Sequence, residues 1–247
     1  MNNNLVGKPT HSHSEQDLPM EQTTSGTWNS PDKFNREARQ WDDNPQRKAL
    51  AACVAHAIIA AAKPAKSMLA LEFGCGTGLV SLAIAPLVQK LHAVDTSREM
   101  VAVLQDKIDT FGITNIDVSC LDLLSPSESV LDEQRFDLLY CSMTLHHIGD
   151  TAGFLSRISQ LLSLGGTICI ADLEEEDGLF HDDPLEKVHH GFERDGLAAM
   201  LHAAGLEPQS FETIHTLKKI NRSGVPASYT IFLVTATKID GQLQHNA

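Results

Sequence analysis

Short apolar runs alternate along most of this chain with longer stretches in which apolar residues recur at helical spacing. The first run covers residues 68–73 and ends at a glycine, as a short strand buried on both faces does. Regular alternation of strands and helices indicates parallel strands joined by right-handed crossovers. The pattern therefore predicts an α/β domain with a doubly wound, mostly parallel sheet.

The same pattern predicts seven strands, at residues 68–73, 91–95, 115–119, 136–142, 166–172, 209–217 and 228–237. The predicted helices cover residues 31–41, 45–63, 79–88, 98–110, 151–163 and 193–203. Only a short turn, residues 221–226, separates the last two strands, so we expect them to pair as an antiparallel hairpin. The expected sheet is seven-stranded, with this hairpin at one edge.

Length and composition favour one folded domain with short polar ends. The chain has 247 residues, of which 42% are hydrophobic. We expect residues 1–27 to be a flexible N-terminal tail, 28–64 a helical segment, 65–238 the main domain and 239–247 a C-terminal tail. The start of the chain lacks the basic and apolar regions of a secretory signal, and the five cysteines show no metal-ligand pairing. A cytoplasmic location is therefore predicted.

The charge balance argues against a nucleic-acid partner. The chain carries 19 basic and 32 acidic residues, a formal net charge of −13. Affinity for nucleic acid depends largely on Lys and Arg that neutralise phosphates, so a polyanion is repelled on average. The densest basic group, Lys218, Lys219 and Arg222, is better interpreted as solvated charges at the end of a strand. No membrane partner is expected either, since residues 49–62 are too few to cross a bilayer.

Three glycines follow the first predicted strand at two-residue spacing. Gly74, Gly76 and Gly78 come directly after the run that contains Glu72. Glycine suits a turn that takes unusual backbone angles and lets a ligand approach the main chain closely. A dinucleotide-binding fingerprint would need a glycine at position 79, where this chain has Leu79. The turn therefore predicts close approach of a ligand other than a dinucleotide.

A carboxylate, Asp95, ends the second predicted strand. A carboxylate in this position of a doubly wound fold accepts hydrogen bonds from ribose hydroxyls. Together with Glu72 and the glycines, it resembles the first two motifs of the class I S-adenosylmethionine-dependent methyltransferases, of the type that acts on small molecules. The resemblance covers residues 34–237, and the C-terminal hairpin is a hallmark of that family.

This resemblance implies S-adenosyl-L-methionine as the cofactor and a set of residues that bind it: Glu72, Gly74, Gly76, Gly78, Asp95, Thr96, Met100, Asp122 and Ser142. Two of the implied roles have alternatives. Asp122 either accepts a hydrogen bond from the adenine amine or only caps a turn. The segment at residues 28–64 is similar to the helical N-terminal lid of many members, in which Trp41 either lines the methyl-transfer site or fixes the lid to the core.

Four histidines are candidate catalytic residues. His146 and His147 follow the fourth predicted strand, and His181 and His189 lie in the acid-rich segment 172–190. A neutral imidazole suits a general base for an acceptor that must lose a proton. A structural role for the histidine pair, a solvated acidic loop, and a divalent metal held by oxygen and imidazole ligands are the alternatives. No metal ligand is assigned.

The resemblance implies an enzyme that transfers a methyl group to an O, N or S nucleophile of a small molecule, as a monomer or homodimer. Two other functions stay open. A protein or RNA methyltransferase would need a substrate-reading surface, and the Asn/Asp-Pro-Pro-aromatic motif of amino-methylating enzymes is absent after the fourth strand. A non-catalytic partner subunit could keep the cofactor pocket without the chemistry.

Overall fold

The fold is described from a computed structural model, which covers residues 30–125 and 133–240 together with Met1, Trp28 and Leu131. The predicted tails, residues 1–27 and 239–247, lie almost wholly outside these described residues. None of the helices in the described ranges has both the length and the apolar character that a membrane crossing requires.

The strands form one seven-stranded sheet in the order β3-β2-β1-β4-β5-β7-β6. They are β1 (Leu69–Phe73), β2 (Lys90–Asp95), β3 (Ile116–Cys120), β4 (Phe136–Ser142), β5 (Leu162–Leu173), β6 (Leu206–Ile220) and β7 (Pro226–Lys238). Strands β1 to β5 pair in parallel, whereas β7 is antiparallel to both β5 and β6. The predicted doubly wound sheet with a C-terminal hairpin at its edge is thus confirmed.

The helices are α1 (Asp32–Glu37), α2 (Pro45–Ala62), α3 (Ser81–Ile84), α4 (Arg98–Phe111), α5 (Thr151–Leu161) and α6 (Arg194–Ala203). The helix predicted over residues 79–88 is shorter: α3 passes into a 3-10 turn at Ala85–Leu87. Pro86 explains the difference, because proline lacks an amide hydrogen and its ring clashes with the preceding helical turn. The helix predicted over residues 31–41 is likewise divided into α1 and a 3-10 turn at Ala38–Asp43.

Two apolar layers enclose the sheet. Helices α2, α3 and α4 bury Val54, Ile84 and Leu104 on one face, and α5 and α6 bury residues such as Ile158 and Leu201 on the other. Because successive side chains of a strand point to opposite faces, each central strand contributes to both layers. The chain order reverses direction between β1 and β4, and ligands of open α/β sheets bind at such a point, beyond the carboxyl ends of the strands.

Candidate active site

A cavity of about 460 Å³ lies at the carboxyl ends of β1, β2 and β4. The glycine loop (residues 74–78) forms one wall. The cavity is also lined by residues of α1, the 3-10 turn and α2, which together we call the N-terminal segment (residues 30–62). The loop after β5 contributes Phe180, His181 and Asp182. The cavity therefore lies where the strand order predicts a ligand site.

The three glycines of the loop have different structural roles. All have positive φ, at +66° for Gly74, +54° for Gly76 and +82° for Gly78. A Cβ atom on Gly74 would overlap the side chain of Thr144, and one on Gly78 would overlap Leu104, so these two glycines permit close packing within the protein. A Cβ atom on Gly76 would meet no protein atom within 4 Å. Gly76 lines the cavity, so its missing side chain leaves open space on the ligand side.

Asp95 ties the glycine loop to the end of β2. Its Oδ2 accepts a hydrogen bond from the Gly76 amide at 2.7 Å, and its Oδ1 accepts one from the Ser97 amide at 2.8 Å. Burial raises the pKa of this carboxyl above its ordinary value, and the backbone donors oppose that shift. A carboxylate has about four acceptor positions, so a ligand hydroxyl can still be bound at the cavity.

Glu72 is a buried carboxyl at the base of the cavity, with 2% of its surface exposed. It accepts hydrogen bonds from Ser81 Oγ and, at 3.1 Å, from Tyr140 Oη. Burial raises its pKa to about 8, against these two hydrogen bonds and with a smaller contribution from the charge of Asp95. Glu72 therefore links β1 to the first residue of α3 and is largely protonated at neutral pH.

The remaining residues expected at the cofactor mostly line the same cavity. Thr96, Met100, Asp122 and Ser142 are all in its wall. Asp122 Oδ1 also accepts a hydrogen bond from the Leu124 amide at 2.9 Å, so this carboxylate caps a turn as well as facing the cavity. Gly78 is not in the lining.

The N-terminal segment is fastened to the glycine loop. Asp42 accepts hydrogen bonds from Thr77 Oγ1 and from Lys107 Nζ, both at 2.6 Å. Trp41 lines the cavity, and the Arg47 guanidinium of the same segment lies 3.6 Å over its ring. The segment therefore forms part of the cavity wall and is held to the glycine loop through Asp42.

His146 forms a buried pair with Asp172. Its Nδ1 lies 2.6 Å from Asp172 Oδ1, and its backbone amide donates to Asp172 Oδ2 at 3.2 Å. The exposed fraction is 2% for His146 and 0% for Asp172. A carboxylate beside Nδ1 favours the tautomer with its proton on that nitrogen, which leaves Nε2 as a proton acceptor. His146 lines the cavity, so this pair can serve as a base.

Three imidazoles, those of His146, His147 and His181, form a histidine cluster in the cavity wall. Their ring centroids are 4.2 to 5.5 Å apart. Burial lowers the pKa of His147 well below its ordinary value, with the neighbouring imidazoles adding to the effect, and burial also lowers the pKa of His181. Both rings are therefore neutral at pH 7.

Glu186 contacts the histidine cluster from the loop after β5. Its Oε2 lies 3.4 Å from His181 Nδ1 and 2.8 Å from the Lys33 amine, and its Oε1 lies 3.9 Å from His147 Nδ1. These partners lower the pKa of Glu186 to about 2, against the opposing effect of burial. Within the described residues, no group of three or more His, Cys, Asp and Glu side chains is arranged to hold a metal ion.

His189 lies outside the cavity lining. Its Nε2 is 3.0 Å from the Ile148 carbonyl and 3.2 Å from Thr151 Oγ1, and its ring packs 4.8 Å from that of Trp28. These contacts occupy the nitrogen that would have to act on an acceptor. The geometry gives no support to the expectation that His189 is catalytic.

Comparisons with known proteins identify the domain. Residues 71–168 match a family model described as a methyltransferase domain. An uncharacterized methyltransferase of Schizosaccharomyces pombe is 33% identical over 132 residues, which are 49% of this chain and 46% of that protein. The malonyl-[acyl-carrier protein] O-methyltransferase of Bacillus cereus is 26% identical over 66% of this chain and 56% of its own length. The chain thus spans about half the length of these curated relatives.

The solved structures agree on the fold. The 1,6-didemethyltoxoflavin-N1-methyltransferase of Burkholderia thailandensis, crystallised with its substrate and S-adenosylhomocysteine, covers 93% of this chain and 94% of its own, with a TM-score of 0.65 and 19% identity. The match at residues 71–168 assigns this part of the chain to a methyltransferase domain, and the solved structures show that the fold is that of the class I methyltransferases. The resemblance drawn from the glycines and Asp95 is thereby confirmed for the domain and the fold.

Several residues of this methyltransferase site were missed from the sequence. Asp172 was noted only as part of an acidic segment, although it lies one residue before the end of β5, much as Asp95 lies at the end of β2. That shared position at a strand end is the signal that could have singled it out. Glu186 and Lys33 carried no such signal, because their contact joins segments 153 residues apart.

Proposed function

We propose that this chain is a methyltransferase that binds S-adenosyl-L-methionine in the cavity and methylates an O, N or S nucleophile of a small molecule. The observation that carries the proposal is the open space beside the Cβ position of Gly76. Asp95 holds the Gly76 amide by a hydrogen bond, at the point where the strand order of the sheet reverses. A glycine whose Cβ position is empty and faces a cavity indicates that a ligand passes close to the main chain.

The residues present suit this cofactor. We assign the methionine end to Glu72 and the glycine loop, the ribose to Asp95, and the adenine side to Thr96, Met100 and Asp122, with Ser142 near the transferred group. When bound, the cofactor supplies a methyl group already activated on a sulfonium. The protein has to align the nucleophile, exclude water and remove a proton. Its residues are therefore expected mainly to position the nucleophile and the cofactor, and not to activate the methyl group.

His146 is the base in this proposal. Asp172 holds the proton on Nδ1, and among the described residues no side chain or backbone group is hydrogen-bonded to Nε2. The bound cofactor would supply the methyl group to the acceptor's nucleophilic atom and would keep the electron pair of the carbon–sulfur bond on its sulfur. His146 Nε2 would take the proton of that nucleophilic atom. The N-terminal segment, which lines the cavity, would help to exclude water.

The concave cavity of about 460 Å³ and the net charge of −13 support a small acceptor over nucleic acid. Relatives named for O-methylation and a structural neighbour named for N-methylation are consistent with a protic acceptor. The cytoplasmic location and the monomeric or dimeric state stay predictions.

Calorimetric titration with S-adenosylhomocysteine tests the proposal. We expect micromolar binding to the wild-type chain and loss of most of it in Asp95→Ala, because the ribose hydroxyls and the loop amide lose the same carboxylate. Asp106→Ala, at an exposed position of α4, is the control and should bind as the wild type does. Undiminished binding by the Asp95 variant, or no binding by the wild type, would contradict the cofactor assignment.

A further inference from the structure

The cavity presents two imidazoles that are each held by a carboxylate. Asp172 lies 2.6 Å from His146 Nδ1, and Glu186 lies 3.4 Å from His181 Nδ1. In both cases the carboxylate favours the tautomer with its proton on Nδ1 and leaves Nε2 as a hydrogen-bond acceptor. The two rings are 5.1 Å apart between centroids. Both residues line the same cavity, so one ligand can contact both side chains.

His181 Nε2 has an unmet hydrogen-bond requirement. The atom is buried, only 8% of the residue is exposed, and no described residue gives it a partner. An unpaired polar atom in such a place costs about 1–3 kcal/mol, so native proteins rarely keep one without a reason. His181 lines the cavity, and a donor on a bound molecule would satisfy this nitrogen.

The two imidazoles have aromatic neighbours, and two lysines of the cavity wall are paired with carboxylates. The rings of Phe34 and Phe180 lie 5.1 Å from those of His147 and His181, respectively. The lysines nearest to them are paired, Lys33 with Glu186 at 2.8 Å and Lys219 with Asp182 at 2.9 Å. A flat, uncharged molecule suits these walls better than an anion or a cation.

Building on the function proposed above, we propose that His181 is a specificity-determining residue that accepts a hydrogen bond from a second donor of the acceptor. This donor neighbours the group that His146 deprotonates. The acceptor is then an uncharged aromatic compound with two adjacent hydrogen-bond donors, for which 1,2-dihydroxybenzene is the simplest probe. Glu186 acts through His181 as a positioning residue.

The tautomers can be measured without any acceptor. Nitrogen-15 NMR of the imidazoles, assigned with His146→Ala and His181→Ala, should show His181 neutral at pH 7 with its proton on Nδ1. In Glu186→Gln the preference for that tautomer should weaken, which a merely structural role for Glu186 would not produce. A protonated His181, or one with its proton on Nε2, would overturn the proposal.

Acceptor discrimination is the functional test. With labelled methyl donor, the wild-type chain should have a higher kcat/KM for 1,2-dihydroxybenzene than for 1,4-dihydroxybenzene or phenol, by about 10- to 100-fold, since a site built for a hydroxyl rejects analogues that lack it. His181→Leu should lose this preference. His181→Gln, whose amide oxygen can accept a hydrogen bond, should restore part of it. His202→Ala, at an exposed histidine, is the control.

Binding of S-adenosylhomocysteine and thermal unfolding of each variant distinguish a failed fold from a failed proposal. If the variants bind S-adenosylhomocysteine as the wild type does and the preference for adjacent hydroxyls is unchanged in His181→Leu, the inference is wrong and the proposed function stands. Equal kcat/KM for the 1,2- and 1,4-isomers in the wild type, or turnover of neither, would also overturn it. If the wild-type chain itself does not bind S-adenosylhomocysteine, the result counts against the proposed function.

Discussion

The two sides of the cavity are built in different ways. The cofactor side consists mainly of backbone, a glycine loop and two strand ends that pair in register, and Asp95 holds the loop through a main-chain amide. The acceptor side consists of side chains from three distant segments, among them Lys33, His146 and Glu186. A loop of glycines with positive φ tolerates few substitutions, because most side chains are disfavoured in that conformation, whereas a site made of side chains can be altered residue by residue. The proposed acceptor specificity can therefore change while the proposed cofactor site is kept.

The base on the acceptor side should show the largest effect. We expect His146→Ala to lower kcat by about 10²- to 10⁴-fold, the usual contribution of a general base, while S-adenosylhomocysteine affinity changes less than about threefold. Asp172→Asn should lower kcat as well, because an amide no longer fixes the tautomer. Single-turnover assays measure the effect on methyl transfer, and calorimetry measures the effect on S-adenosylhomocysteine affinity. If the affinity falls as much as kcat does, the two sides of the cavity are not independent.

Glu72 makes the free energy of unfolding depend on pH. Its pKa is about 8 in the folded chain, against an ordinary value of 4.5. The protonated carboxyl therefore contributes its full stability below pH 4.5, and this contribution is lost as pH rises through 8. At about 1.4 kcal/mol per pKa unit the loss reaches about 5 kcal/mol. Glu72→Gln should gain stability relative to the wild type over this range, as chemical unfolding at pH 5 and pH 8 would show. A difference that is the same at both values would mean that Glu72 is ionised in the fold.

Substitutions at Gly76 and Gly112 can be compared to separate an effect on ligand binding from an effect of backbone strain. Both have positive φ, +54° and +62°, and a Cβ atom on either would meet no protein atom within 4 Å. Substitution by Ala should therefore cost each about 1–2 kcal/mol of unfolding free energy. Only Gly76 lines the cavity, so only Gly76→Ala should weaken S-adenosylhomocysteine binding, by about tenfold or more. Equal affinities in the two variants would remove Gly76 from the cofactor site.

His189 should show the smallest effect on turnover. Because its Nε2 contacts the Ile148 carbonyl outside the cavity, we expect His189→Ala to change kcat less than about twofold. A modest decrease in thermal stability, from the lost contacts with Trp28 and Phe192, is the expected consequence. If turnover instead falls tenfold at unchanged stability, His189 returns as a catalytic candidate.

Much of the fold could be predicted because its signals are local. The strand runs, the Gly112 stop of α4 and the short turn between β6 and β7 are each contained in a few consecutive residues. One exception is α3, where the apolar spacing favoured a full helix and Pro86 ended it early. There the backbone chemistry of one residue overrode the pattern.

The candidate site was predictable only where short sequence motifs at the ends of neighbouring strands form it. Gly74, Gly76 and Asp95 could be assigned together because parallel strands β1 and β2 bring a loop and a strand end to one edge. The pairing of His146 with Asp172 joins the turn after β4 to a residue near the end of β5, 26 positions further along the chain, and nothing local specifies it. The position of His189 outside the cavity lining likewise depends on tertiary packing.

A crystal structure of the chain with S-adenosylhomocysteine tests the central claim most directly. The account predicts that the ribose hydroxyls lie within hydrogen-bond distance of Asp95, that the ligand passes over Gly76, and that the sulfur faces His146. A ligand bound elsewhere, or one whose sulfur is turned away from the histidine cluster, would contradict it.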